Sequence, residues 1–265
     1  MSLARRTVEA GVVRFRLRNW RGAAVGYDVS AYLLDDVLVD TGFAHARAAM
    51  LDVVRANRPR GVVVTHSHED HAGNVPALAA TGLPMVMHEE CEAVLRSRPE
   101  ILPYRRIVWG RTPALSQAIE SFDLAPLTVL PAPGHSTDHM VVWDPERRIL
   151  VSGDLFLGVK VRVAHEHESP RTLVASLRTM AALEPRLLLD AHRGVVRDAA
   201  AQLRAKADWN EETITAIEHL GLEGVGVRAI VQRLFRGESM VGWASMGEYS
   251  RAGFVRAVLR ECNCH

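Results

Sequence analysis

Short apolar runs punctuated by Gly, Pro and Asp occupy the chain up to about residue 198, and beyond that point apolar residues recur at helical spacing instead. Val12 to Leu17, Tyr27 to Leu34 and Val37 to Val39 read as strands, the last two joined by a tight turn at Asp35-Asp36, so the chain opens on antiparallel pairing. An Ala-rich helix follows from Ala44 to Ala56 and is stopped by Asn57-Arg58-Pro59. The β-branched run from Gly61 to Val64 is a buried strand, Val75 to Ala80 a short helix, and Pro84 to Met87 another strand.

Residues 89–123 break this rhythm. A helix around Cys91 to Arg96 leads into an irregular excursion marked by Pro99, Pro103 and Pro113. It carries Arg96, Arg98, Arg105, Arg106 and Arg111 against Glu100, with Tyr104 and Trp109 interleaved. Such a segment is either a solvated loop or a lid that meets an anionic group on a substrate, with Tyr104 and Arg105 as candidate contacts. Leu127 to Leu130, Val141 to Trp143 and Ile149 to Ser152 are then strands, the last two forming a hairpin over Asp144-Pro145-Glu146. Leu173 to Leu183 is an amphipathic helix, and Leu187 to Leu189 is a final strand. After residue 198, Ala199 to His219, Val227 to Phe235 and Ser245 to Arg260 read as helices, and Gly237 to Gly242 as a turn or a small wing. The expected organisation is a catalytic domain over residues 1–198 and a helical, winged-helix-like region over 199–265.

Composition narrows the class without naming a function. With 48% hydrophobic and 24% charged residues among 265, the chain has ordinary globular make-up, and a net charge of +1 argues against a dedicated polyanion binder. Three cysteines, Cys91, Cys262 and Cys264, are too few for a disulfide framework, and Cys262 to His265 reads as a frayed tail. The arginine-bearing start lacks the apolar core of a secretory signal, and no run approaches the ~20 apolar residues of a membrane span. A cytoplasmic protein with no membrane partner is expected.

The chemistry gathers at the carboxyl ends of the strands. Asp40, His66, His68, Asp70, His71, His135, Asp154 and His192 all lie where an α/β protein places its site. His135 or His192 alone would read as structural. Together with the His66 cluster and Asp154 they make a set of imidazole and carboxylate groups that suits zinc, iron or manganese. Seven such groups exceed the needs of one ion, and two ions sharing Asp154 would use them all. A solvent molecule between two such ions has its pKa drawn toward neutrality.

The run Thr65-His66-Ser67-His68-Glu69-Asp70-His71, with Pro133-Gly134-His135, Ser152-Gly153-Asp154 and the His192 loop in this order, resembles the metallo-β-lactamase superfamily, and Asp40-Thr41-Gly42 extends the resemblance over about residues 25–195. The resemblance implies an αββα four-layer sandwich of two mixed sheets with metals at one edge. It assigns His66, His68 and His135 to one ion and Asp70, His71 and His192 to the other, with Asp154 bridging. It also implies that Asp70 orients the attacking water or carries its proton. Asp40 is then either a carboxylate that holds a ligand histidine in its tautomer or a turn-forming residue.

Where the family usually has Gly-His-Gly, this chain has Ala191-His192-Arg193. Arg193 either points to solvent or enters the pocket to favour an anionic substrate. His139 is expected at the pocket rim as a proton donor, the alternative being a core residue. His165 to Glu168 reads as a solvated loop, and His45 and His88 as structural.

Two divalent cations, zinc first and iron or manganese as alternatives, make a metal-dependent hydrolase the leading expectation. Its substrate would be a small ester, thioester or lactone, anionic in one version. The retained Asp70 resembles the glyoxalase II, lactonase and ribonuclease branches more than the true β-lactamases. The alternatives are a nuclease or phosphodiesterase, suggested by the helical tail, and a mononuclear iron persulfide dioxygenase. A nucleic-acid partner is not favoured, and a homodimer is left open.

Overall fold

The computed structural model describes residues 2–9, 12–19 and 28–262. Tyr27, expected to start a strand, and the tail beyond Cys262 lie outside them. Eleven strands form two sheets among the described residues. The first contains β1 (Ser2–Glu9), β2 (Val12–Asn19), β3 (Val29–Leu34), β4 (Val37–Val39), β5 (Gly61–Val63) and β6 (Met85–Val86), in that spatial order. Its first four strands are an antiparallel meander, and β4, β5 and β6 run parallel. The second sheet has the order β11-β10-β9-β8-β7, with β7 (Thr128–Pro131), β8 (Met140–Asp144), β9 (Ile149–Gly153), β10 (Leu187–Asp190) and β11 (Gly194–Arg197). It too is mixed, because β9 and β10 pair parallel and the other neighbours antiparallel. Two mixed sheets with flanking helices are the αββα class expected from the sequence.

The chain divides into two compact units. The first, Met1–Pro131, Asp138–Asp154 and Arg186–Arg197, holds both sheets and the helices α1 (Arg47–Asn57), α2 (Glu69–Ala72), α3 (Val75–Ala79), α4 (Glu89–Ser97) and α5 (Pro103–Trp109). Strand residues in it alternate between two apolar clusters, as a side-chain period of two requires. Leu38 and Val62 join Phe43, Met50, Leu78 and Leu95 in the cluster under α1, α3 and α4. Val37, Val39 and Val63 join Val142, Ile149, Val151, Leu187 and Leu189 between the sheets. Burial on both faces explains why these strands are near-continuous apolar runs. Each fully buried Val or Leu contributes about 1.5–3 kcal/mol to that core.

The second unit, Ala132–Thr137, Leu155–Pro185 and Asp198–His265, holds α6 (Pro170–Ala182), α7 (Ala199–Leu222), α8 (Val227–Phe235), α9 (Met240–Ala244) and α10 (Arg251–Cys262). Ser169 caps α6 by accepting from the Thr172 N–H. Phe254 of α10 lies against Phe235 and Trp209, with ring centroids 6.3 Å and 6.5 Å away. The buried Lys206 donates to the carbonyls of Leu155, at 3.0 Å, and Phe156.

Three expectations need correction. The 99–123 excursion contains α5, because Pro103 sits at the first turn, where its missing N–H costs nothing. Gly237 to Gly242 holds no wing: Ser239 accepts from the Gly242 N–H and starts α9. Ser245 to Ser250 is not helical, so the last helix begins only at Arg251. Cys91 is a buried free thiol, and no described helix is long and apolar enough to cross a membrane.

Candidate metal centre

Parallel pairing of β4 with β5 puts their carboxyl ends side by side, with Val39 opposite Val63. Asp40 therefore meets Thr65. The Asp40 backbone adopts a left-handed φ of 65°. Its buried Oδ1 accepts from the Thr65 N–H at 2.8 Å and from the Thr65 hydroxyl at 2.9 Å. Asp40 Oδ2 lies 2.8 Å from Nδ1 of His71. Burial of a carboxylate requires its oxygens to be paired in this way. His71 accordingly carries a proton on Nδ1 and turns Nε2 toward Asp154.

The same loop is tied down from behind. Thr41 donates its N–H at 2.7 Å and its hydroxyl at 2.8 Å to the His71 carbonyl, and Asn74 Nδ2 donates to the carbonyls of Thr41 and Phe43. A Cβ on Gly73 would stand 2.3 Å from the Glu69 carbonyl oxygen and 2.7 Å from that of Gly42, so only glycine lets the loop close here.

The second sheet delivers its ligands by the same logic. Gly153 pairs with Asp190 across the parallel β9–β10 ladder, so Asp154 and His192 emerge together. Gly153 needs its positive φ of 49°, and a Cβ there would approach His139 Nε2 to 2.8 Å. Asp190 Oδ1 accepts from the backbone N–H groups of His192 at 2.9 Å and Arg193 at 2.7 Å. Nδ1 of His192 is 2.7 Å from the Asp28 carbonyl oxygen, which leaves Nε2 toward the carboxylates.

Two groups of donors result. Ligand atoms of Asp70, His71 and His192 lie within 4.8 Å of one another, as do those of His66, His68 and Asp154. Asp154 faces both groups. Its Oδ1 is 3.2 Å from Nε2 of His71 and 3.2 Å from Nε2 of His192, while its Oδ2 is 4.0 Å from Nε2 of His66. Burial pushes the His71 imidazole down, but Asp154, Asp40 and Asp70 together carry it well above its usual value. Burial lowers His192 as well, yet Asp154 and Asp70 raise it to about 9. Against its burial, the two histidines hold Asp154 well below the usual carboxylate range. His66, by contrast, is driven well down by burial and by its histidine neighbours.

These groups fit a cation. His71 Nε2 is buried with no hydrogen-bond partner, 3.2 Å from one carboxylate oxygen and 3.9 Å from Oδ2 of Asp70. With Nδ1–H committed to Asp40, Nε2 faces carboxylate oxygens across a buried gap, an arrangement that needs a proton or a metal cation between them.

His135 sits in the second unit, on the short segment 132–137 that leaves β7 and returns to the first unit at Asp138. Its Nδ1 lies 3.5 Å from Oε2 of Glu168, and the preceding Gly134 accepts the Ser169 N–H on its carbonyl. Glu168 thus belongs to an ordered corner, where the sequence predicts a solvated loop. Asp138 Oδ2 accepts the Ser67 N–H at 2.8 Å, so the residue three places after His135 holds the middle of the His66–His71 run.

Two of the expected substrate contacts change role. His139 is buried, 1% exposed, and its Nε2 accepts the Asp154 N–H at 3.0 Å, so it supports the Asp154 backbone instead of sitting at a rim. Arg105 is paired at 2.5 Å with the buried Glu69, which neutralises both charges. Arg193 is exposed and Tyr104 half-buried. Thr65, Asn74, Asp138 and Asp190 carry the positioning hydrogen bonds, and nothing in their spacing announces it.

Comparison with known proteins agrees with this geometry. The metallo-beta-lactamase superfamily model matches residues 25–192. A lactamase-like protein, nscB, of Arthroderma benhamiae is 30% identical over 68% of this chain and 35% of its own length. An atrochrysone carboxyl ACP thioesterase of Claviceps purpurea is 29% identical over 55% of this chain and 42% of its own. The chain spans about half or less of the length of these curated relatives. A metallo-beta-lactamase family protein of Thermus thermophilus superposes with a TM-score of 0.65 at 20% identity, covering 89% of each chain. With the strand-end donors, the sheet order and the family match in agreement, the chain belongs to the metallo-β-lactamase superfamily, a group made up mostly of metal-dependent hydrolases.

Proposed function

We propose that the protein is a dinuclear metal hydrolase of a small carbonyl substrate, with a thioester ahead of an ester or lactone. The observation that carries this reading is the position of Asp154, whose carboxylate faces His71 and His192 on one side and His66 on the other. His66, His68 and His135 would hold one ion, Asp70, His71 and His192 the other, and Asp154 both. Two such ions, zinc by donor type, supply Lewis acidity and lower the pKa of water toward about 7.

The chain's own residues then have distinct tasks. Asp40 and the Asp28 carbonyl keep the imidazole protons of His71 and His192 on Nδ1. Asp70, buried and with Oδ2 3.5 Å from His192 Nε2, would orient the attacking water and take its proton. His139 spends its Nε2 as an acceptor and is not placed to protonate a leaving group. That favours a leaving group stable as an anion. A thiolate, with a conjugate-acid pKa of about 8.5, satisfies this far better than an alkoxide. The thioesterase name of the Claviceps purpurea relative points the same way.

The test combines metal analysis with a panel of a thioester, a lactone, a cephalosporin, an activated phosphodiester and RNA, on protein reconstituted with zinc, manganese or iron. Two metals per chain with thioester hydrolysis is the expected result. One iron per chain with oxygen uptake would overturn the reading, and preference for the phosphodiester or RNA would replace the substrate class.

A further inference from the structure

Of the proposed ligands, His135 alone belongs to the second unit, and the elements of that unit grip the chain around it. The Ser176 hydroxyl of α6 donates to the Pro133 carbonyl at 2.7 Å, and the Ser169 N–H to the Gly134 carbonyl at 2.8 Å. Gly134 has a φ of 133°, and a Cβ on it would stand 2.4 Å from the backbone of Leu173, so only glycine lets the segment lie this close to α6. His135 itself meets Glu168, Nδ1 to Oε2 at 3.5 Å, with the two side chains 6% and 10% exposed.

Glu168 is held at three points. Its Oε1 accepts the His165 N–H at 2.9 Å, its N–H donates to the His165 carbonyl at 3.0 Å, and its carbonyl accepts from Arg260 Nη2 at 2.8 Å. Arg260, near the end of α10, also donates through Nη1 to the Glu166 carbonyl. Beside it, Glu261 accepts from the Ser169 hydroxyl and, at 3.2 Å, from the Arg171 N–H. Each of these bonds from α10 has one charged partner, which makes it stronger than a neutral one. The start of the helix is anchored on the same segment. Ala164 and Ser250 exchange backbone hydrogen bonds at 3.2 Å and 3.3 Å, and a Cβ on Gly253 would stand 2.4 Å from the Ala164 carbonyl oxygen. Helix α10 is thus fastened at both ends to residues 164–171, and the glutamate that meets His135 lies between the two anchors.

We infer that Glu168 is a positioning residue for His135 and that α10 holds Glu168 in place, so that the helical region serves the metal centre. A histidine that gives one nitrogen to a metal carries its proton on the other, and a carboxylate at that proton fixes the ring and strengthens the donor. With Glu168 at Nδ1, Nε2 is the nitrogen given to the ion. Asp40 has this task toward His71 from the end of a strand. Glu168 stands in a turn, and the side chains of α10 supply the rigidity that a strand would. The role of His135 as a ligand rests on the hydrolase reading; the fastening of Glu168 by α10 does not.

Chelator competition on the full-length zinc protein compares Glu168→Gln, Arg260→Gln and His135→Ala with the parent, and the melting temperature of the metal-free form controls for folding. Arg178→Gln, which removes an exposed pair with Asp208 and Glu211 in the same unit, is the reference for an unrelated loss of charge. Glu168→Gln should weaken one of the two ions about 10- to 100-fold and leave the other within about twofold. Arg260→Gln should weaken the same ion by a smaller factor, and Arg178→Gln neither. In zinc protein labelled at its histidine nitrogens, the NMR resonance of the His135 Nδ1–H should shift in Glu168→Gln while that of His71 stays, which a general loss of stability would not produce. Unchanged affinity in Glu168→Gln beside a loss in His135→Ala would overturn the positioning role and leave the ligand set standing. Unchanged affinity in His135→Ala would remove both. Equal weakening of both ions with a lower melting temperature of the metal-free form would also overturn it, since Glu168 would then act on the fold alone. If Glu168→Gln does not fold, Arg260→Gln decides in its place, by weakening one ion or neither. A one-ion loss in a protein that hydrolyses no member of the substrate panel would keep the positioning role and sink the hydrolase reading instead.

Discussion

The His66–Asn74 loop and the stretch from Arg98 to Ala114 lie in one compact unit and share the Glu69–Arg105 ion pair, yet they treat their polar groups in opposite ways. In the loop, backbone and side chains are bonded to fixed partners: Asp40 to Thr65 and His71, Thr41 to the His71 carbonyl, Asp138 to Ser67. In the Arg-rich stretch, Arg98 keeps buried donors without acceptors, and Arg106 holds only an exposed glutamate. Groups that must hold their geometry through a reaction are locked by their neighbours, whereas the Arg-rich stretch leaves buried bonding capacity unmet.

The sharpest way to break the comparison is Asp154→Ala, which removes the one carboxylate facing both donor groups. Turnover should fall by about a thousandfold or more, and metal content by direct elemental analysis should drop below two per chain. Retention of both would show that the groups do not share this residue. Next comes Glu69→Gln, which removes the carboxylate paired with Arg105, whose side chain is only 11% exposed. Breaking a buried pair of this kind should cost about 3 kcal/mol in chemical denaturation. A loss below about 1 kcal/mol would mean that the pair behaves as a surface contact.

Asp40→Asn tests the locking of the loop more gently. The amide keeps the shape but no longer stabilises the Nδ1–H of His71 as a charge would, so metal affinity in a chelator competition should fall about 10- to 100-fold. The smallest effect belongs to the open region. Arg106→Gln removes a pair whose Glu100 side chain is 95% exposed, and stability should stay within about 0.5 kcal/mol of the parent. A larger change would show that this stretch is more tightly organised than its exposure suggests.

Much of the scaffold is legible in the chain itself, because strands buried on both faces leave near-continuous apolar runs such as Val37–Val39 and Gly61–Val63. Helix α8 spans Val227–Phe235 as its spacing predicts, since Ile230 and Val231 recur on a buried face. The failures have physical reasons too. Strand β1 lacks an apolar run in the sequence Ser-Leu-Ala-Arg-Arg-Thr-Val-Glu, and β11 has four residues, too few to show a period. Pro103 reads as a breaker although proline is a good first helical residue, and the Gly237–Gly242 stretch reads as a turn although Ser239 caps a helix inside it. The spacing of His139 from His135 points to a rim because spacing carries no information about burial.

The residue types and spacings of the His66 cluster, Asp154 and His192 were enough by themselves to announce a metal site and its family, because ligand chemistry is a property of side chains and their local order along a strand end. Two matters were decided only by the folded chain: which nitrogen His71 and His192 turn toward the carboxylates, and that Arg98 is left with buried, unmet donors while Arg105 is not. Each depends on partners tens of residues away, such as Asp40 for His71 and Asp28 for His192, which meet only when parallel strands bring their ends together. Hydrogen-bond partnership and desolvation are properties of that meeting, and no local pattern encodes them.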